Sequence, residues 1–186
     1  EPLPHPNTLD FFAFRGGEQI GYMRVMSVGG GDIVIEGEPV TEADEIYPEN
    51  SFAEIHQFCK WRYISLSEYV ELNEGPEIWD FLAEIWRAMK RSVEIGLHAE
   101  GVLPGGLNVV RKAKLLFEQE RPNEIPQVRE LRMVCSYAFA VAEENADNGT
   151  VVTAPTCGSC GVLPSVLLYM QERYDYSDEE GCRALA

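Results

Sequence analysis

Positive charge is scarce in this chain: 15 lysines and arginines stand against 31 aspartates and glutamates in 186 residues, a formal net charge of −16. A surface this acidic repels phosphate, which argues against nucleic-acid binding driven by counterion release and against docking on anionic lipid. No apolar run approaches the ~20 residues needed to cross a bilayer, so no membrane partner is expected. The opening Glu1-Pro2-Leu3-Pro4-His5-Pro6 has neither the basic nor the apolar region of a signal peptide, and export is not expected. Cysteine is sparse too. Five residues, odd in number and irregular in spacing, make no disulfide framework and point to a reducing cytoplasm. The three histidines, His5, His56 and His98, are isolated from one another, and no second CxxC accompanies Cys157-Gly158-Ser159-Cys160, so a zinc-ligand pattern is missing.

What is present suffices for a packed core, since 45% of the residues are apolar. The first part reads as β structure. Leu9 to Phe14 runs into Gly16-Gly17, a dipeptide that adopts positive φ at little cost. Residues 19–26 follow, with Ile20, Tyr22, Arg24 and Met26 on one face, and then Asp32-Ile33-Val34-Ile35. Together they predict a three-stranded meander with a glycine-rich corner at Ser27-Val28-Gly29-Gly30-Gly31. Residues 38–49 are acidic, carry Pro39 and Pro48, lack an apolar period and read as a linker.

Beyond the linker the pattern is helical. Ser51 is placed to cap a helix reaching about Trp61, and Ser65 or Ser67 a shorter one. Pro76 suits the first turn of a long helix with Ile78, Trp79, Leu82, Ile85, Trp86, Met89 and Val93 as its apolar stripe, and Gly96 is expected to end it. A basic helix is expected over 108–118. The all-round hydrophobicity of 134–141, within a helix over 128–144, predicts a central, buried element. A last helix is expected over 162–174.

Chemistry concentrates in residues 153–161, where hydroxyls, glycines and thiols precede a helix N-terminus. Unpaired N–H groups and the helix dipole favour an anion there, and glycines let backbone approach a ligand. The competing reading is that Thr156 or Ser159 caps the helix. The CxxC reads as a redox pair, half of a zinc site, cluster ligands, or small residues lining a turn; a thiolate at a helix N-terminus would be acidified. His5, beside Asn7 on a loop flanked by prolines, is a candidate general base with Asn7 as its orienting group, or else a surface turn. Ser27 to Gly31 offers a backbone nest for an anion or a bulged strand corner. Glu143-Glu144-Asn145 reads as a helix end rather than an acid pair.

Taken in order, His5-Pro6-Asn7, Ser27-Val28-Gly29-Gly30-Gly31, Glu100-Gly101-Val102-Leu103-Pro104-Gly105, Glu143-Glu144-Asn145 and Thr153-Ala154-Pro155-Thr156 resemble the motifs of iron–sulfur-dependent L-serine dehydratases, which need no pyridoxal phosphate. That resemblance implies an α+β fold: the end of a small β-containing domain in 1–37, the linker 38–49, and the first part of a helical catalytic domain in 50–186. It implies deamination of L-serine, a four-iron four-sulfur cluster whose open iron polarises the substrate hydroxyl, and a homodimer as the full-length enzyme. It puts Thr153, Thr156, Gly158 and Gly161 on the substrate-side loop, and His5, Asn7, Gly29, Gly30 and Gly31 on the face the small domain presents to it; with the residue reading above, His5 is the catalytic candidate and Ser27 and Ser159 join the substrate-binding set. No cluster ligand falls in these residues, because the family's cluster cysteines lie downstream of the Thr-Ala-Pro-Thr loop. The family's Ser-Ser-His-Thr motif is also missing, so the sequence reads as an internal fragment. Two other classes stay open: a non-catalytic amino-acid-binding or regulatory module, and a CxxC thiol redox protein; a zinc-binding structural protein is more distant.

Overall fold

A computed structural model describes residues 3–29, 32–39, 45–119, 121–154 and 156–186. It divides into two compact units, Glu1–Asp44 and Glu45–Ala186. The fold class is α+β, a small antiparallel sheet followed by helices. No helix among the described residues is long and apolar enough to cross a membrane.

The first unit is a three-stranded sheet in the order β1 (Thr8–Arg15), β2 (Glu18–Gly29), β3 (Asp32–Ile35). Gly16 and Gly17 have φ of 59° and 89°, the pair of positive angles that a tight hairpin turn demands. Alternation then sets the register. Phe12 lies opposite Tyr22 and Asp10 opposite Arg24, while Leu9, Phe11 and Ala13 face Val25, Met23 and Gly21 on the other side. The guanidinium of Arg24 grips the Asp10 carboxylate through two nitrogens, at 2.7 and 2.9 Å, and the Tyr22 hydroxyl donates to the same carboxylate. Between Ser27 and Gly29 the register shifts, forming a bulge.

The second unit is built on α3 (Ile78–His98) and α5 (Pro126–Ala146), with α1 (Phe52–Arg62), α2 (Leu66–Glu74), α4 (Ala113–Glu118), α6 (Val162–Tyr174) and α7 (Asp178–Leu185) around them. Ser51 caps α1 by accepting from the Glu54 N–H, and Ser65 with Glu68 forms a reciprocal capping box on α2. The α3 stripe supplies both halves of the core. Leu82, Trp86 and Met89 pack with Cys182 of α7; Val93 and Leu97 pack with Ala113, Tyr137, Ala140, Val141 and Cys160. Each large side chain so buried stabilises the fold by about 1.5–3 kcal/mol.

Three sequence expectations are corrected, and one helix is added. Gly96 does not end α3 but lies inside it, buried, because a Cβ there would stand 2.3 Å from the backbone oxygen of Ala140. Its glycine serves close helix–helix approach. The basic helix starts only at Ala113; ahead of it the chain is not helical, with Val110 bridged to Val102 and Asn108 in the left-handed region at φ 51°. Helix α5 is not buried all round: Ser136, Tyr137, Ala140 and Val141 face the core, whereas Phe139, within the apolar stretch, is 37% exposed. Last, α7 follows α6, announced by a Ser177–Glu180 capping box that the sequence reading passed over.

Helix α7 is held partly by charge. Lys90 of α3 donates to both oxygens of Asp178, at 2.6 and 2.8 Å. Lys90, and after it Gln171, hold the Asp178 carboxyl below its ordinary 3.8 despite partial desolvation. A carboxyl with a lowered folded pKa stabilises above its unfolded value and ceases to do so as pH falls through the folded one. Acidification below 3.8 is therefore expected to loosen α7, whose Gly181 lies against the Trp86 indole. Tryptophan emission should follow that step, and the step should be missing in Asp178→Asn. An unchanged acid transition in the variant would place the sensitivity elsewhere.

Candidate functional site

The loop 153–161 follows α5, which ends at Ala146, after a short connection and leads into α6. Asn148 turns the chain at φ 60°, and the Gly149 N–H donates to the Glu144 carbonyl at 2.7 Å. Thr153 is exposed, and Thr156 is extended, at φ −153° and ψ 162°, before a single 3-10 turn, Cys157–Ser159. The Thr156 and Ser159 hydroxyls share a hydrogen bond of 3.0 Å, and the Ser159 N–H donates to the Thr156 carbonyl. Neither hydroxyl caps α6, whose first turn follows Gly161 without a side-chain cap. The capping alternative for Thr156 and Ser159 is thereby set aside.

The two loop glycines differ in kind. A Cβ at Gly158 would meet only the Thr156 hydroxyl, at 4.0 Å, and its φ is not positive, so neither space nor backbone conformation demands glycine there. At Gly161 a Cβ would come within 2.4 Å of the Ala138 oxygen. Gly161 is buried, and its absent side chain serves the seating of the loop on α5.

Consecutive residues at the end of α5 organise the surroundings. The Glu143 carboxylate accepts from the N–H groups of Lys112 and Ala113, at 2.8 and 3.4 Å, and so caps α4 with a side chain distant in sequence. Glu144 pairs with Arg111 at 2.9 Å, and Arg111 also reaches Asp147 at 2.5 Å. The Arg111 and Glu144 side chains are only 5% and 11% exposed. Burial acts to lower the Arg111 pKa, but its hydrogen bonds to Glu144 and then Asp147 outweigh that, and the guanidinium stays charged. Asn145 donates from Nδ2 to the Cys157 carbonyl at 3.2 Å. The segment before α4 is itself tied back: Leu103 N–H donates to Val109 and Arg111 N–H to Gly101. Both glutamates thus have structural partners, in keeping with a helix end. Sequence reasoning missed Arg111, whose partner lies 33 residues away with no local signal.

In the first unit His5, Asn7 and Ser27 meet at one end of the sheet. The Ser27 N–H donates to the Asn7 carbonyl at 3.0 Å, and the Thr8 hydroxyl donates to the His5 carbonyl at 2.6 Å. The Asn7 N–H donates to His5 Nδ1 at 3.2 Å. With Nδ1 accepting, neutral His5 carries its proton on Nε2 and presents a donor; service as a base at Nδ1 requires that local bond to open. Gly29 has φ of 106°, a conformation that favours glycine. Gly30 and Gly31 lie outside the described residues.

The sequence as a whole is matched among known proteins. Residues 34–186 fit the family model described as the serine dehydratase alpha chain. The chain belongs to that family. It is 35% identical over 178 residues to L-serine dehydratase 1 of Escherichia coli (strain K12), which covers 89% of this chain and 39% of that protein. It is 36% identical over 191 aligned positions to an L-serine dehydratase of Streptomyces coelicolor, covering 95% and 42%. With L-serine dehydratase TdcG of Escherichia coli it shares 38% over 184 residues, covering 91% and 40%. The chain thus spans about two fifths of the length of these curated relatives.

Within this family member, thiol chemistry finds little support in the loop. Cys157 is exposed, but Cys160 is 1% exposed, and burial, then the neighbouring Cys157, pushes its thiol pKa up. The expectation of an acidified thiolate is corrected for Cys160: desolvation outweighs the backbone N–H groups that face its sulfur. All five cysteines are free. Among the described residues no group of three or more His, Cys, Asp or Glu side chains converges as a metal site.

Proposed function

We propose that the full-length protein deaminates L-serine to pyruvate and ammonia, and that the loop 153–161 holds the substrate. The observation that carries this reading is the state of the loop: the Thr156 and Ser159 hydroxyls are free of any capping duty, beside a glycine at 158 that neither packing nor φ explains. Hydroxyls and N–H groups at such a turn suit a carboxylate. Thr153, Thr156, Gly158 and Ser159 form the binding loop, and Gly161 seats it. Asn7, Ser27, Gly29, Gly30 and Gly31 belong to the small domain, 1–37, which a linker, 38–49, joins to the catalytic domain beginning at 50. His5 handles a proton.

In balanced form, L-serine loses its α-proton and hydroxyl as water to give 2-aminoacrylate, which tautomerises to the imine. Water then adds and ammonia leaves, so the water lost is regained. Family resemblance assigns departure of the hydroxyl to a four-iron four-sulfur cluster in a cytoplasmic homodimer. The residues described here do not fit that cluster, since no metal-holding group converges among them; by resemblance, the family's cluster thiolates lie downstream of its Thr-Ala-Pro-Thr loop. What this chain supplies is substrate binding and proton handling.

The test is serine-dependent pyruvate formation by the full-length protein purified without oxygen, alongside iron and sulfide analysis. Activity and cluster are expected together, both lost in air. Pyruvate formation by iron-free protein would refute the cluster, and absence of pyruvate from cluster-loaded protein would refute L-serine as substrate.

A further inference from the structure

We infer that Asn145 is a positioning residue for the loop 153–161, acting through the Cys157 carbonyl. The inference rests on the proposed substrate role of that loop and extends it to a residue that does not touch the substrate. Asn145 sits in the last turn of α5, and its carboxamide donates to Cys157 O at 3.2 Å. The loop has a second attachment to α5 at Gly161, whose backbone lies against Ala138. Between the two stand Gly158, Ser159 and the buried Cys160. The peptide joining Cys157 to Gly158 is planar and trans, so a carbonyl held toward α5 turns the Gly158 N–H away from it. Asn145 thereby sets the orientation of the Cys157–Gly158 peptide, on whose Gly158 side no side chain stands.

The chemistry requires a donor. An alanine at 145 leaves the Cys157 carbonyl, in an exposed residue, to water; an aspartate sets a carboxylate oxygen against a carbonyl oxygen and repels it. The neighbours Glu143 and Glu144 are committed elsewhere, to the α4 N–H groups and to Arg111, so neither substitutes for the amide.

The test uses the full-length protein with Asn145→Ala and Asn145→Asp. One neutral hydrogen bond corresponds to a factor of about ten, so KM for L-serine is expected to rise about tenfold in the alanine variant and further in the aspartate variant. The effect on kcat should stay within about threefold, since Asn145 does not reach the reacting atoms. Amide hydrogen exchange at 157–161 in ligand-free protein should accelerate by about the same tenfold while α5 is unchanged. The two readouts must move together. A raised KM with unaltered loop exchange would mean that Asn145 touches substrate, altered exchange with unaltered KM would strip the loop's order of its substrate role, and either overturns the inference. Should the wild-type protein form no pyruvate from L-serine, the serine reading falls, and loop exchange by itself still decides whether Asn145 holds the loop.

Discussion

Thr156→Ala in the full-length protein is expected to lower kcat/KM for L-serine on the order of a hundredfold while leaving the unfolding midpoint almost unchanged. Hydrogen bonds to a charged group contribute about 1.5–3 kcal/mol, which is a factor of roughly ten to one hundred and fifty. The threonine hydroxyl is exposed, bonds only to Ser159 Oγ among the described residues, and caps no helix. Its loss leaves no buried group unpaired, because water reaches the Ser159 side. Exposed substitutions of this kind usually fall within about 0.5 kcal/mol of neutral. Thr156→Ser keeps the oxygen and should recover most of the turnover. If stability and activity fell in parallel, the hydroxyl would be a structural part of the turn and the carboxylate role would be lost.

The largest effect on stability is expected from Arg111→Ala. Removing one partner of a buried ion pair strands the other, at a cost of about 3–5 kcal/mol. Glu144 is 8% exposed and has Arg111 as its side-chain partner, whereas Asp147 is half exposed and can turn to water. Arg111→Lys should fall between, since one ammonium cannot span Glu144 and Asp147 as the guanidinium fork does. Joint replacement of Arg111 by Met and Glu144 by Leu should recover much of the loss, because it removes both charges rather than stranding one. Denaturant midpoints of the variants are the measurement. A loss in Arg111→Ala of under about 1 kcal/mol would show the pair behaving as an exposed salt bridge, with water at Glu144.

Local features were legible in the residues themselves. Alternation over 8–15 and 18–29 and the two glycines between them specify a hairpin, because side chains on a strand point to alternate faces and only a pair of positive φ angles closes so tight a turn. Ser51 and Ser65 marked helix starts, since a hydroxyl three residues ahead of an N–H satisfies it. Helix α6 fell over 162–174 as expected. The open loop before it was also marked, by its density of hydroxyls and glycine.

The candidate site divided along the same line. Thr156, Gly158 and Ser159 could be picked from composition and position, but whether their hydroxyls cap a helix or stand free depends on the 3-10 turn that separates them from α6. The sequence alone thus determined the strands, most helix boundaries and which loop carries polar groups, all of which arise from contacts within a few residues. Only tertiary structure decided why Gly96 and Gly161 are glycine, that Glu143 caps α4, that Arg111 finds Glu144 and that Asn145 holds Cys157. Each of these depends on backbone or side chain brought close from a distant part of the chain, and close packing leaves room for one arrangement where the local pattern permits several.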